Sequence, residues 1–316
     1  MKKPIYLLCL HNCRTGGPEA IHQLSDALLA QGFDARLLYY QKPDVLNAQT
    51  KDGRYIEYWG VPRELPDYLC PFPEYAHYAT RLARSIEEPG VVVLPETMAH
   101  LAPLFPAHTV LIWWLSVDNG LHALSKAVEA GSLNLLRGPN VWHATQSRYA
   151  EAFVCALQFH SAGMLSDYTT DLTVYADPST DIEQRPKLAV FATKRVTADL
   201  QAIVDEIQTR DPEINCVPLA SLSRAELAQL LAQARVYVDC GSFPGKDRGP
   251  REAIQMGCTP LVFAVGAAME TGALGFLNDV AGHVVEHVNH PWPEQLVLPD
   301  ERAIFFDEVC NVFSRL

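Results

Sequence analysis

The most constraining feature of this sequence is one pattern that runs twice along the chain. A short apolar run with β character is followed by a polar or glycine-bearing loop, then by a segment of helical period, then by the next apolar run. The first round opens with residues 4–10, passes through a loop from His11 to Pro18, and enters a segment with Ile21, Leu24 and Leu28 on one face. Pro18 suits a first helical turn and Gly32 suits a stop. Residues 34–40 (DARLLYY) then read as the next strand. Strand, glycine loop, helix, strand is the opening of a doubly wound α/β domain.

The round continues with strands at 90–96 and 108–116, a helix over 120–136, a short strand at 139–146, and a helix over 148–158 capped by Ser147. Residues 41–73, rich in Pro, Tyr and charge, read as an excursion with some β structure, and 74–88 as a helix. Residues 176–186 (ADPSTDIEQRP) are the clearest linker. The pattern then restarts. Strands are expected at 187–193, 214–219, 234–240 and 259–265, with helices at 197–209, after Ser223, and at 250–256. Ser223 with Glu226 three residues on makes a capping box. The tail 301–315 is amphipathic. The expected organisation is two doubly wound, Rossmann-like α/β domains, 1–175 and 180–298, facing a cleft. A helix over 300–316 would be able to pack back on the first.

Composition narrows the function classes. The 316 residues are 48% hydrophobic and 20% charged, enough for two globular cores, and the net charge is −12. That balance speaks against a broad nucleic-acid footprint. A phosphorylated ligand would need a local cationic pocket that overrides the global field. The eight cysteines form no CxxC pair, which predicts buried, reduced thiols in a cytoplasmic protein. The apolar run after Lys2-Lys3 is too short for a signal peptide, and no stretch approaches the roughly 18 apolar residues of a membrane span. Any membrane contact would be peripheral.

The densest chemistry lies at 241–262, GSFPGKDRGPREAIQMGCTPLV, directly after an apolar strand. Lys246, Arg248 and Arg251 bring positive charge, Asp247 and Glu252 bring carboxylates, and Pro250 fits a first helical position. A helix N-terminus beside Arg and Lys is a phosphate cradle, and a neighbouring carboxylate can take ribose hydroxyls. Gly16-Gly17 before the first helix allows close backbone approach. Lys194-Arg195 close the first strand of the second half. Asp118, just past a strand end, could deprotonate a hydroxyl or cap the next helix. Gln146 and Ser147 follow a strand end, while His143 within that strand reads as a satisfied core histidine. His283, Glu286, His287 and His290 would suit a metal only on a helix, and GHVVEHVNHPW reads as strand and loop, so no metal is assigned.

The 244–262 run resembles the donor-binding segment of GT-B glycosyltransferases, especially bacterial enzymes of capsule and cell-surface polysaccharide synthesis. Such enzymes carry a PGKDR-x-PREA-x-x-x-G stretch before a strand. The resemblance implies a soluble transferase that moves a sugar from a nucleotide-diphosphate donor to a glycan or other hydroxyl acceptor, with no metal and no cofactor beyond the donor. It puts Glu252 at the donor ribose and Lys194, Lys246, Arg248 and Arg251 around the diphosphate, with Asp247 a further carboxylate of the donor site. Gly16 and Gly17 stand in the glycine loop, with Asp118 or Glu19 as the base. Retaining members carry a second carboxylate eight positions before the ribose contact; here that position is Pro244. A nucleotide-sugar epimerase of related architecture and a non-catalytic nucleotide- or glycan-binding relative fit the same residues. A nicotinamide enzyme does not, because no GxGxxG follows the first strand.

Overall fold

A computed structural model of the chain describes residues 3–10, 13, 15–40, 48–51, 55–58, 75–83, 85–178, 181–291 and 296–316. It divides into two compact units. The first takes 1–167 together with 302–316, and the second takes 168–301. The division thus falls at Asp167/Tyr168, and Glu301 is the last residue of the second unit.

The first unit carries β1 (Ile5–Leu10), α1 (Gly16–Ala30), β2 (Ala35–Tyr40), a small antiparallel hairpin of β3 (Ala48–Lys51) and β4 (Tyr55–Tyr58), β5 (Val91–Pro95), β6 (Thr109–Trp114), α2 (Val117–Glu129), β7 (Val141–Thr145), α3 (Arg148–Ala156) and β8 (Ser161–Met164). Its main sheet is parallel, in the order β2-β1-β5-β6-β7-β8. Successive side chains leave opposite faces and both carry buried residues, so the strands are largely apolar. Trp114 joins Tyr6, Leu8, Val92 and Ile112 in a core that also takes in Ala123, Leu124 and Val154 of α2 and α3. Trp113 points the other way and stacks on Phe305, with ring centroids 6.4 Å apart. Phe305 belongs to α8 (Glu301–Phe313), which from Arg302 onward is part of the first unit.

The second unit repeats the scheme with β9 (Leu188–Ala192), α4 (Leu200–Arg210), β10 (Asn215–Leu219), α5 (Arg224–Gln233), β11 (Val236–Asp239), α6 (Arg248–Gln255), β12 (Thr259–Phe263), β13 (Leu274–Phe276) and α7 (Val280–Asn289). Its sheet is parallel, in the order β10-β9-β11-β12-β13. Ala189, Phe191, Val236 and Val238 face Ile207 of α4 and Val280, Val284 and Val288 of α7. Leu188, Val190 and Tyr237 face the opposite way, onto Ala228 and Leu231 of α5, Ala253 of α6 and Met256 at the α6 C-cap. The α5 capping box forms as the sequence predicts, with both the Ser223 and Glu226 side chains engaged.

Several local expectations are corrected. The 74–88 segment is not a helix among its described residues: the backbone of Leu37 pairs with Arg81 and Ala83, so this stretch borders β2 as an extended edge. Residues 280–289 are a helix, not strand and loop. The Asp279 side chain caps it by accepting the Gly282 amide at 3.1 Å, and Val280, Val284 and Val288 lie on one helical stripe, so burial overrides the β preference of valine. Helix α6 starts at Arg248 with Asp247 at its N-cap, two residues before Pro250. The short strands β8 and β13 went unpredicted. Among the described cysteines all are free thiols; Cys9, Cys240 and Cys258 are buried as expected, but Cys155 and Cys310 are exposed. Among the described residues no helix is long and apolar enough to cross a membrane.

Candidate functional site

In open α/β sheets ligands meet the carboxyl ends of the strands. In the second unit that edge is formed by the loops after β9 and β11. They are tied into one structure. The Thr197 amide donates to Cys240 O at 3.1 Å, the Ser242 amide donates to Arg195 O at 3.3 Å, and Val196 forms an isolated bridge with Gly241. A Cβ on Gly241 would stand 2.8 Å from Asp239 Oδ1 and 3.1 Å from Arg195 O, so the lacing requires glycine there. Arg195, in the left-handed region at φ 56°, pairs with Asp247 at the N-cap of α6.

Asp239 ends β11 beneath this loop. Its carboxylate accepts the Gly241 amide at 2.9 Å and the Tyr237 hydroxyl at 3.2 Å. Burial pushes its pKa up to about 6, and Asp247 adds to the rise. The same burial, together with Asp239, holds the Tyr237 phenol neutral far above its ordinary range.

The cations of this loop are less available than their number suggests. Arg251 is fully buried. Its Nη1 donates to both oxygens of Glu301, at 3.0 and 2.9 Å, its Nη2 to Lys246 O at 2.8 Å, and its Nε to Asp247 O at 3.2 Å. Lys246 Nζ lies 3.1 Å from the same Glu301 carboxylate. Glu301 also accepts the Thr169 amide and hydroxyl. Arg251 and Lys246 therefore set the shape of the turn from inside. Lys194 is exposed, and Arg248 and Glu252 are half-buried in and beside the first turn of α6. Pro250 has no N–H and the Arg251 amide is the helix's first internal donor, so the first-turn amides are those of Arg248 and Gly249. Glu301 was missed by sequence reasoning. It lies 50 residues from Arg251, and an acid at a helix start looks like an ordinary dipole partner.

The corresponding edge of the first unit holds the other expected residues. Gly16 is exposed and Gly17 half-buried at the start of α1, where Thr15 makes no side-chain cap. A Cβ on Gly17 would meet no described atom within 4 Å. Among the described residues the glycine therefore fills no packing need there. Glu19 is 4% exposed and accepts the Tyr78 hydroxyl at 3.2 Å, and Gln23 donates to that same hydroxyl at 3.3 Å. That places Glu19 in a buried polar chain rather than at an open surface. Asp118 is exposed in the first turn of α2 and does not cap it; Ser116 Oγ does, accepting the Asn119 amide at 3.4 Å.

Next to that turn lies Glu96, which the sequence reading passed over. It directly follows β5, is 4% exposed, and accepts the Leu115 amide at 3.4 Å, with its own amide and the Asn119 side chain also bonded to it. Burial pushes its pKa up to about 7. The only sequence signal was an acid directly after a buried strand. Gln146 and Ser147 are both buried: the Gln146 amide donates to Asp167 at 2.8 Å, and Ser147 caps α3 by accepting the Ala150 amide. His143 is a satisfied core histidine, as expected. Nδ1 accepts Trp114 Nε1 at 2.9 Å, Nε2 donates to Leu136 O at 2.9 Å, and burial pushes its pKa down to about 4.

No protein-family profile matches the chain, and no curated protein matches it. Solved structures do. HepE of Anabaena, determined with UDP-glucose, superposes with a TM-score of 0.60 at 9% identity, over 99% of this chain and 100% of that one. The pneumococcal O-GlcNAc transferase GtfA, determined with UDP and GlcNAc, gives 0.58 at 10% identity, over 99% and 97%. A glycosyltransferase of Rickettsia africae gives 0.53 at 11% identity, over 99% and 94%. The chain has the two-unit, Rossmann-like GT-B fold that the 244–262 motif implied.

Proposed function

We propose that the protein is a glycosyltransferase that takes its sugar from a nucleotide-diphosphate donor and passes it to a hydroxyl acceptor, a glycan among the candidates. The observation that carries this reading is the laced edge of the second unit. There Lys194, Arg248 and the first turn of α6 offer positive charge at the carboxyl end of a parallel sheet, with Glu252 beside them. Structural neighbours of the same fold, HepE and GtfA among them, hold UDP-sugar or UDP. In this reading Glu252 takes the ribose hydroxyls, and Lys194, Arg248 and the α6 amides take the diphosphate. Lys246, Asp247 and Arg251 hold the loop that presents them, and Gly16-Gly17 lets a ligand approach α1.

The step is a displacement at the anomeric carbon. The acceptor oxygen forms the new C–O bond, the bond from that carbon to the diphosphate oxygen breaks, and the acceptor proton passes to a carboxylate. Asp118, exposed in the first turn of α2, is the assigned base in preference to the buried Glu19. Charge gathering on the leaving diphosphate is met by fixed amides and cations, so the reading requires no metal at this step.

The test is a thermal-shift screen against nucleotides and nucleotide sugars, followed by product analysis with acceptor panels. Arg248→Ala and Glu252→Ala are each expected to weaken the best ligand about tenfold or more, roughly 1.4 kcal/mol. Both variants retaining the wild-type shift would overturn the donor site. Conversion of the donor to an isomer without any acceptor would replace transfer by epimerisation. Nucleotide binding without turnover on any acceptor would leave a binding protein.

A further inference from the structure

Helix α7 carries a second constellation on the other face of the second sheet. Its buried stripe of Val280, Ala281, Val284 and Val288 already supplies the packing against β9, β11 and α4. Beside that stripe stand His283, Glu286 and His287, at i, i+3 and i+4, where one helical turn brings side chains together. One potential ligand atom from each lies within 4.8 Å of the others. The two histidines are half-buried and Glu286 is exposed. Phe276 stacks on the His283 ring at 5.8 Å and 27°, which restricts its orientation. Both imidazoles also line a cavity of about 270 Å³ whose other walls include Leu261, Met269, Leu274 and Phe276. Packing alone gives no reason to place two imidazoles and a carboxylate together at the edge of an apolar cavity.

We propose that His283, Glu286 and His287 bind one divalent transition-metal ion, with zinc the preferred ion. Two imidazoles and a single carboxylate are a donor set for zinc, cobalt or nickel; calcium and magnesium call for oxygen-rich sites. Two histidines four residues apart on one helix face is the spacing that chelates zinc through adjacent turns. Zinc–nitrogen bonds of about 2.0–2.1 Å in tetrahedral geometry set ligand atoms about 3.3 Å apart. Three protein ligands leave a fourth position for water or an incoming group. Helix α6 packs on the opposite face of the sheet, so this ion has no part in the diphosphate chemistry proposed for α6. Its consequence is clamping of α7.

The experiment uses the full chain, stripped with chelator and titrated with Co²⁺ while visible absorption is followed, then with Zn²⁺ against a chromophoric chelator. The expected result is one saturable equivalent with low-coordinate cobalt bands, Zn²⁺ displacement of that cobalt, and an upward melting shift with Zn²⁺. His283→Ala and His287→Ala should each lower affinity at least about tenfold and abolish the melting shift. His100→Asn, outside the cluster, should bind as wild type. Matching circular dichroism and metal-free melting of the variants ensures that loss of binding is not loss of fold. Absence of a saturable cobalt signal from the wild type overturns the site, as does undiminished affinity in His283→Ala and His287→Ala.

Discussion

Arg251 and Glu301 form a buried ion pair inside the second unit, with one guanidinium nitrogen within 3.0 Å of both carboxylate oxygens. The pair binds the start of α6 to the last residue of the unit, and Lys246 and Thr169 share the same carboxylate. Removing one partner leaves a buried charge without compensation. Glu301→Gln is therefore expected to cost about 3–5 kcal/mol, while the double change Arg251→Met, Glu301→Leu recovers much of it. Urea unfolding of the three proteins checks this. Hydrogen exchange should rise across 240–252 in the single variant; an unchanged exchange pattern would show that the pair does not hold the loop.

Glu96 and His143 make opposite contributions to the pH dependence of the first unit. Glu96, ordinarily near 4.5, holds its proton to about pH 7 in the folded chain. Its contribution is full below pH 4.5 and is lost as pH rises through 7. His143, ordinarily near 6.5, stays neutral down to about pH 4 when folded. Its contribution is present above pH 6.5 and is lost as pH falls through 4. Each is worth about 3 kcal/mol across its window, so in the wild type they largely offset. Glu96→Gln should gain about that much on the wild type between pH 4.5 and about pH 8. His143→Gln should gain a similar amount on acidification from pH 6.5 to 4. Urea midpoints across the range decide it, and variant curves parallel to the wild type would refute the assignment.

Gly249 sits in the first turn of α6 against Tyr237. A Cβ there would lie 2.2 Å from the phenol oxygen and 3.0 Å from Cζ. Alanine gains about 0.5–1 kcal/mol of helix propensity over glycine, but overpacking costs about 1–3 kcal/mol, so the clash wins. Gly249→Ala should destabilise the second unit, and in a Tyr237→Phe background, where the nearest oxygen is gone, the same change should come close to neutral. A double-mutant cycle in urea measures the coupling. A cycle with no interaction energy would mean that the helix shifts to make room.

The transfer reading makes the donor step independent of added metal, whereas the α7 site responds to it. Chelator treatment should leave turnover within about twofold while lowering the melting temperature of the wild type toward that of His283→Ala. Activity that collapses on chelation and returns with magnesium would instead place a metal at the diphosphate.

How far the sequence reached depended on the range of the interaction involved. The strands at Val91–Pro95 and Leu188–Ala192 and the box at Ser223–Glu226 were legible because each is encoded within a few residues. The 74–88 stretch was misread because what shapes it is a backbone pairing with Leu37, more than forty residues back. His283–His290 was misread because local valine preference pointed to strand, while burial against the sheet made it a helix.

The sequence by itself determined that the chain forms two parallel α/β units and that a charged turn follows the β11 strand, since periodicity, caps and local charge are properties of neighbouring residues. Only the tertiary structure decided which of those charges are buried against a distant partner. Arg251 and Lys246 turn inward because Glu301, far along the chain, offers a buried carboxylate, and a buried charge is stable only where a partner of opposite sign has been folded against it.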